Sequence, residues 1–225
     1  MTIEPVAHIR CGFEGKFGVP RQSGRVGVEA EILFEPKYRS PDAVRGLDGF
    51  SHIWLIFDFS EAHREVTGLT VRPPRLGGNV RVGVFASRSP FRPNSLGLSS
   101  VRLKSVEMTA EGPVLRVEGA DLIDGTPIYD IKPYLSFTDS HPDAVNGYAA
   151  RGEHHRLTVT TSPGVAMPDE IRGDVTELVA EDPRPSYIDD PERIYKMTYG
   201  GYEIGFRADR GSAKIISCVR RADKT

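Results

Sequence analysis

Val82-Gly83-Val84-Phe85-Ala86-Ser87-Arg88-Ser89-Pro90-Phe91-Arg92-Pro93-Asn94-Ser95-Leu96-Gly97-Leu98-Ser99 runs from an apolar stretch through a polar turn and straight into the start of a second apolar stretch. The turn holds two Arg, two Pro and an Asn. Proline fixes φ, asparagine tolerates unusual dihedrals, Gly97 admits close approach, and arginine brings a rigid fork of donors. A strand that bends on such residues and re-enters a strand is a β–β connection carrying a preorganised polar site. It is not the glycine-rich strand-to-helix turn of a dinucleotide-binding fold, and no G-x-G-x-x-G follows a strand anywhere in the chain.

Outward from this connection, residues 6–9, 26–34, 52–59, 80–85, 98–106 and 114–117 are β-branched or alternating in polarity, with Gly- and Pro-rich turns between them. Short strands at that spacing predict a mainly β architecture, an antiparallel barrel or sandwich. Val26, Val28, Ala30 and Ile32 fall on one face by the period of two, opposite Gly27, Glu29 and Glu31, so this strand is expected to be half exposed. His52-Ile53-Trp54-Leu55-Ile56-Phe57 is nearly continuous in apolar side chains and is expected to be buried on both faces. The first helical pattern of any length spans 168–181, where Ile171, Val175, Leu178 and Val179 recur at helical spacing and Asp169 and Glu170 suit the first turn. Residues 193–199, 202–208 and 213–219 then read as a three-stranded meander, its first hairpin closed by Gly200-Gly201. The polar region 139–168 separates the two patterns, which divides the chain into a barrel domain, 1–150, and a small C-terminal α+β domain, 151–225.

The composition, 39% hydrophobic and 27% charged with a net charge of -2, is that of a soluble globular protein. No apolar run approaches the ~20 residues that cross a bilayer, and the N-terminus lacks a basic-then-apolar signal sequence, so a cytoplasmic protein without membrane attachment is expected. The charge is polarised. Residues 72–102 hold six arginines and no Lys, Asp or Glu, whereas 139–192 hold twelve acids against four arginines. An arginine-only basic segment suits phosphate or carboxylate recognition by paired donors. Cys11 and Cys218 form neither a metal-binding spacing nor a disulfide framework, His154-His155 are adjacent rather than a helical turn apart, and no H-E-x-x-H or G-x-S-x-G occurs, so neither a metal nor a serine nucleophile is expected.

Three further segments carry chemistry. Asp121-Leu122-Ile123-Asp124-Gly125-Thr126 ends in a glycine turn whose carboxylates and backbone groups suit a cationic or nucleotide ligand, with Asp121 itself read as a turn or cap residue. Lys16-Phe17-Gly18-Val19-Pro20-Arg21-Gln22 is a polar loop able to close over a site, and Asp182-Pro183-Arg184-Pro185-Ser186-Tyr187 is a proline-stiffened loop with an aromatic tip.

Val19-Pro20-Arg21-Gln22, Asp42-Ala43-Val44-Arg45-Gly46-Leu47, Phe50-Ser51-His52-Ile53-Trp54, Val71-Arg72-Pro73-Pro74-Arg75-Leu76-Gly77-Gly78-Asn79, the segment from Gly83 to Asn94, Asp124-Gly125-Thr126-Pro127, Asp130-Ile131-Lys132-Pro133-Tyr134 and the loop from Asp182 to Tyr187 occur in an order that resembles the TsaA/TrmO (YaeB-like) family of tRNA N6-threonylcarbamoyladenosine methyltransferases. The resemblance implies a homodimer built on a β-barrel that binds S-adenosylmethionine without Rossmann architecture, acting on adenosine 37 in the tRNA anticodon loop. It implies that Pro20, Arg21, Gln22, Ser60, Glu61, Arg88, Leu98, Ile123, Asp124, Gly125 and Thr126 line the methyl-donor site. At 60–61 this chain has Ser-Glu where better-known bacterial members tend to have His-Gln, and at Ser95 the family often has Pro. Arg92, Asn94, Lys132, Tyr134, Arg184 and Tyr187 are the candidates for holding the RNA substrate, and Asp130, Asp182 and Tyr187 the candidates for the general base. The same residues are open to two other readings, a non-catalytic RNA-binding barrel and a methyltransferase of another substrate, and whether one subunit or two build the site stays open.

Overall fold

The computed structural model describes residues 2–63, 68–73, 76, 79–150, 156–185 and 190–222. Six antiparallel strands close into a barrel in the order β1 (Ala7–Arg10), β2 (Glu29–Phe34), β7 (Gly112–Glu118), β6 (Leu96–Thr109), β3 (His52–Asp58), β8 (Pro127–Pro133) and back to β1. The interior follows from strand alternation: Ala7 and Ile9, Ala30 and Ile32, Ile53, Leu55 and Phe57, Val101 and Leu103, Leu115 and Val117, and Ile128 all point inward and are buried. Gly97 is placed by this packing, since a Cβ there would fall 2.2 Å from the Phe57 ring. Between β3 and β6 lies a two-stranded ribbon, β4 (Thr70–Val71) with β5 (Val82–Gly83).

The C-terminal half forms a second sheet in the order β10 (Tyr195–Tyr199), β11 (Tyr202–Ala208), β12 (Ser212–Arg220), β9 (Thr158–Thr161). A short helix α1 (Ser136–Asp139) follows the barrel, and helix α2 (Asp169–Ala180) buries Ile171, Val175, Leu178 and Val179 with Met197, Ile204, Phe206 and Ile215 of the sheet. Phe13, Val26 and Val28 join this second core from the β1–β2 connection, which is thereby clamped between barrel and sheet. At Gly12 the backbone runs so close to Tyr199 that a Cβ would lie 2.6 Å from its ring, while the Gly200 amide donates to the Gly12 carbonyl at 2.9 Å. The β10–β11 hairpin turns on Gly200 and Gly201 at φ +58° and +83°, left-handed values that glycine takes without strain.

Three expectations are corrected. Residues 80–85 are not a barrel strand: only Val82–Gly83 is extended, Val84–Ala86 is a 3-10 turn that buries Val84 and leaves Phe85 exposed, and the barrel closes between β3 and β1 through β8. Strand β3 is buried on its barrel face alone. Trp54 on its outer face instead stands 5.5 Å from the Tyr134 ring and donates its indole N–H to Asp139 at 2.8 Å, contacts that let a large apolar residue face outward. Finally, the C-terminal meander gains a fourth strand, β9, paired in parallel with β12 inside the region that reads as a polar boundary.

Candidate functional site

Antiparallel closure puts the C-terminal ends of β1, β3 and β7 and the N-terminal ends of β2, β6 and β8 at one mouth of the barrel. Three connections emerge there, residues 11–28, 59–95 and 119–126. They contain ten of the eleven residues expected to line a donor site, Pro20, Arg21, Gln22, Ser60, Glu61, Arg88, Ile123, Asp124, Gly125 and Thr126, together with Arg92 and Asn94.

Hydrogen bonds tie these connections to one another. Arg88 donates through Nη1 to Gln22 Oε1, and Lys16 Nζ donates to the Glu61 carbonyl, so the first connection grips the second at two points. The third is fixed to the first: the Cys11 amide donates to Asp124 Oδ1 at 2.9 Å, the Asp124 amide to the Phe13 carbonyl at 2.9 Å, and the Gly125 amide to the Ile9 carbonyl at 2.8 Å. Thr126 closes its own turn, Oγ1 donating to the Ile123 carbonyl at 2.6 Å. Gly125 sits at φ +75° with nothing within 4 Å of where a Cβ would be, an open backbone cradle. Beside it, Ser99 Oγ donates to Asp121 Oδ1 at 2.6 Å, and burial pushes the Asp121 carboxyl above the ordinary aspartate range despite that bond and the nearby Arg88 guanidinium. Burial likewise raises the Cys11 thiol to about 11, which makes it an inert packing group.

The remaining candidates fall elsewhere. Leu98 lies on the outer wall of β6, three strands from β1 around the barrel in either direction, and its side chain is 56% exposed. Asp130 and Lys132 pair with each other at 2.8 Å along β8. Tyr134 follows the end of that strand, where its amide donates to the His52 carbonyl at 3.0 Å. At about 3.3 Å per residue that is roughly 23 Å from Pro127 at the mouth, so the structure does not bring Lys132 and Tyr134 to the three connections of their own chain. Arg184 is buried: Nε and Nη2 hold the Asp182 carboxylate at 2.7 and 2.9 Å, while Nη1 and Nη2 donate to the Ala208 and Asp209 carbonyls at 2.6 and 2.7 Å. These bonds make Arg184 and Asp182 an anchor for their loop, whose Arg184 carbonyl accepts from Arg21 Nη2 at 2.7 Å. A cleft lined by Pro20, Arg21, Gln22, Arg25, Glu181 and Pro183 runs along this junction. Tyr187 lies outside the described residues.

One constellation escaped the sequence reading. Asp58 ends β3 nearly buried, accepts from Tyr129 of β8, and lies 2.7 Å from Nε2 of His63, which is exposed. A carboxylate that closes an otherwise apolar strand was its only signal. Among the described residues no group of three or more His, Cys, Asp and Glu side chains converges to hold a metal, and no helix is long and apolar enough to cross a membrane.

Known proteins resemble this chain in sequence and in fold. The model of the tRNA-methyltransferase O N-terminal domain matches residues 8–140, and that of the TrmO C-terminal domain matches 159–221. A tRNA (adenine(37)-N6)-methyltransferase of Escherichia coli K12 is 42% identical over 229 residues, covering 97% of each chain. One from Eikenella corrodens is 47% identical over 176 residues, 74% of this chain and 95% of that protein. The crystal structure of TrmO from Pseudomonas aeruginosa superposes with a TM-score of 0.79 at 28% identity, covering 98% of this chain and 97% of the other.

Proposed function

This chain belongs to the TrmO family, a tRNA methyltransferase dependent on S-adenosylmethionine, and we propose that the three mouth connections of its barrel hold the methyl donor for transfer to N6 of N6-threonylcarbamoyladenosine at position 37. The observation that carries the reading is the cross-linked mouth: Arg88 on Gln22, Lys16 on the Glu61 carbonyl, and Asp124 on the Cys11 amide. The donor set fits a sulfonium nucleoside. The open Gly125 turn offers backbone to a ribose or purine, and Asp124 and the Ile123 carbonyl offer oxygens to a cationic sulfur.

When bound, S-adenosylmethionine supplies an electrophilic methyl group. The acceptor N6 is a poor nucleophile because its lone pair is delocalised into both the purine and the carbamoyl group, so alignment must supply much of the rate. Alignment is what the locked connections provide. Arg92, held by its Nη1 bond to the Ser87 carbonyl at 3.1 Å, is aimed from the same connection and suits the threonyl carboxylate. Exposed Arg72 and Arg81 suit the phosphates of the anticodon stem-loop, a contact that weakens with salt. Residues 1–150 thus form the donor-binding domain, and 151–225 a domain that braces the 11–28 connection.

A homodimer in the cytoplasm completes the reading. Leu98 belongs to the donor set by resemblance yet faces out from the wall opposite β1, and exposed Leu96 and Phe85 stand near it in sequence. A second copy seated on that wall brings Leu98 to its own mouth. The test is methyl transfer from S-adenosylmethionine to tRNA from cells lacking the enzyme, read by nucleoside mass spectrometry. Arg88→Ala and Asp124→Ala should each lose at least roughly tenfold in kcat/KM with an unchanged circular dichroism spectrum. Full activity in both variants overturns the site, and transfer to unmodified but not threonylcarbamoylated tRNA overturns the substrate.

A further inference from the structure

We propose that His63 is the group that takes the N6 proton during methyl transfer, with Asp58 as its positioning residue. The inference rests on the methyl-transfer reading and adds to it the base that reading lacks. Asp58 is placed by β3, its side chain only 11% exposed, and Phe59 beyond it donates its amide to the Ser95 carbonyl at 2.8 Å, which fastens the start of the 59–63 turn to the Arg88–Asn94 bend. Tyr129 donates its hydroxyl to the Asp58 carboxylate from the neighbouring strand, and the buried anion raises the Tyr129 hydroxyl above the ordinary tyrosine range, after burial itself. The second strong partner of the carboxylate is His63 Nε2 at 2.7 Å.

An ionised carboxylate only accepts, so the neutral imidazole keeps its proton on Nε2 and presents the lone pair of Nδ1 outward. The His63 side chain is 59% exposed, and Nδ1 has no hydrogen-bond partner among the described residues. A buried aspartate behind an exposed histidine is the arrangement that fixes a tautomer and stabilises the imidazolium once a proton arrives. Among the described residues, the charged groups on this turn or bonded to it are Glu61 and Lys16, whose Nζ donates to the Glu61 carbonyl. The alternatives are engaged: Asp130 with Lys132, Asp182 with Arg184, Asp121 with Ser99.

The step balances. The N6 lone pair forms the new N–C bond as the methyl–sulfur bond breaks with its electron pair going to sulfur. The N6 proton passes to His63 Nδ1, and the imidazolium returns it to water after product leaves.

The test uses the full chain with S-adenosylmethionine and threonylcarbamoylated tRNA. His63→Ala should lower kcat by at least roughly tenfold with both KM values within about twofold, and added imidazole should restore several-fold of the loss. His63→Gln, which keeps a hydrogen bond to Asp58, should lose as much, and Asp58→Asn should lose less. Unchanged kcat in His63→Ala, or a loss that imidazole does not repair, overturns the assignment while turnover by the unaltered chain upholds the methyl-transfer reading. An unaltered chain that binds the donor but does not methylate overturns both.

Discussion

Asp121 carries a cost that a neutral side chain of the same shape avoids. Its carboxyl is raised by burial, so the folded state holds the proton more tightly than the unfolded chain does. A raised acid favours folding below its ordinary value and loses that contribution as pH rises through its folded value. At pH 7.5 the ionised group is therefore a burden, offset in part by Ser99 and Arg88. Asp121→Asn, whose Oδ1 still accepts from Ser99, should melt about 1–3 °C above the unaltered chain at pH 7.5, with the gap closing as pH falls towards 4. A scan of melting temperature against pH checks this, and a variant that melts lower at pH 7.5 refutes it. At this scale part of the site was legible. Arg88, Gln22 and Asp124 stand in turns dense in Pro, Gly and Asn, and turn chemistry is written in residue types. Asp58 and His63 were not legible, because a five-residue spacing across the end of a strand has no signature until the strand's direction is known. Arg184 read as a ligand for anions for the opposite reason: only burial reveals that each of its nitrogens already has an acceptor.

At the scale of elements, the loop after α2 is held by that one guanidinium, and through the Arg184 carbonyl it holds Arg21, next to the Gln22 that meets Arg88. Removing the Arg184 side chain leaves the Asp182 carboxylate with only the Arg184 amide, at 3.4 Å, and takes a donor from each of two carbonyls, a loss of about 2–4 kcal/mol. Arg184→Ala should thus lower the melting temperature and raise the KM for S-adenosylmethionine, and Arg184→Lys should recover little, since an ammonium cannot span a carboxylate and two carbonyls together. An Arg184→Ala chain of unaltered melting temperature that is weakened only in tRNA binding would instead make this arginine a substrate contact. The strands themselves were readable where one face meets the core and the other meets water, as in β2. They were misread where that rule is disguised. β8 is bounded by Pro127 and Pro133 and carries Asp130 and Lys132 outward, so it looks like a binding loop, yet Ile128 is fully buried in the barrel. β9 is four residues of Thr and Val that pair in parallel with a strand more than fifty residues later in the chain.

The chain carries an arginine-only basic segment, 72–102, and an acidic one, 139–192, and its barrel leaves Leu96, Leu98 and Phe85 exposed. On the proposed dimer reading, a second copy seated over these side chains both covers them and delivers Leu98 to a donor site. Light scattering should then give a mass twice 24.8 kDa. Sharing is tested by mixing. In a dimer of one Arg88→Ala subunit and one Leu98→Asp subunit, one site inherits both defects and the other inherits neither. Random reassortment should therefore restore about a quarter of the unaltered activity from two inactive parents. A mixture as inactive as its parents, after exchange of subunits has been verified by mass, means that each chain builds its site alone and that Leu98 serves only the interface.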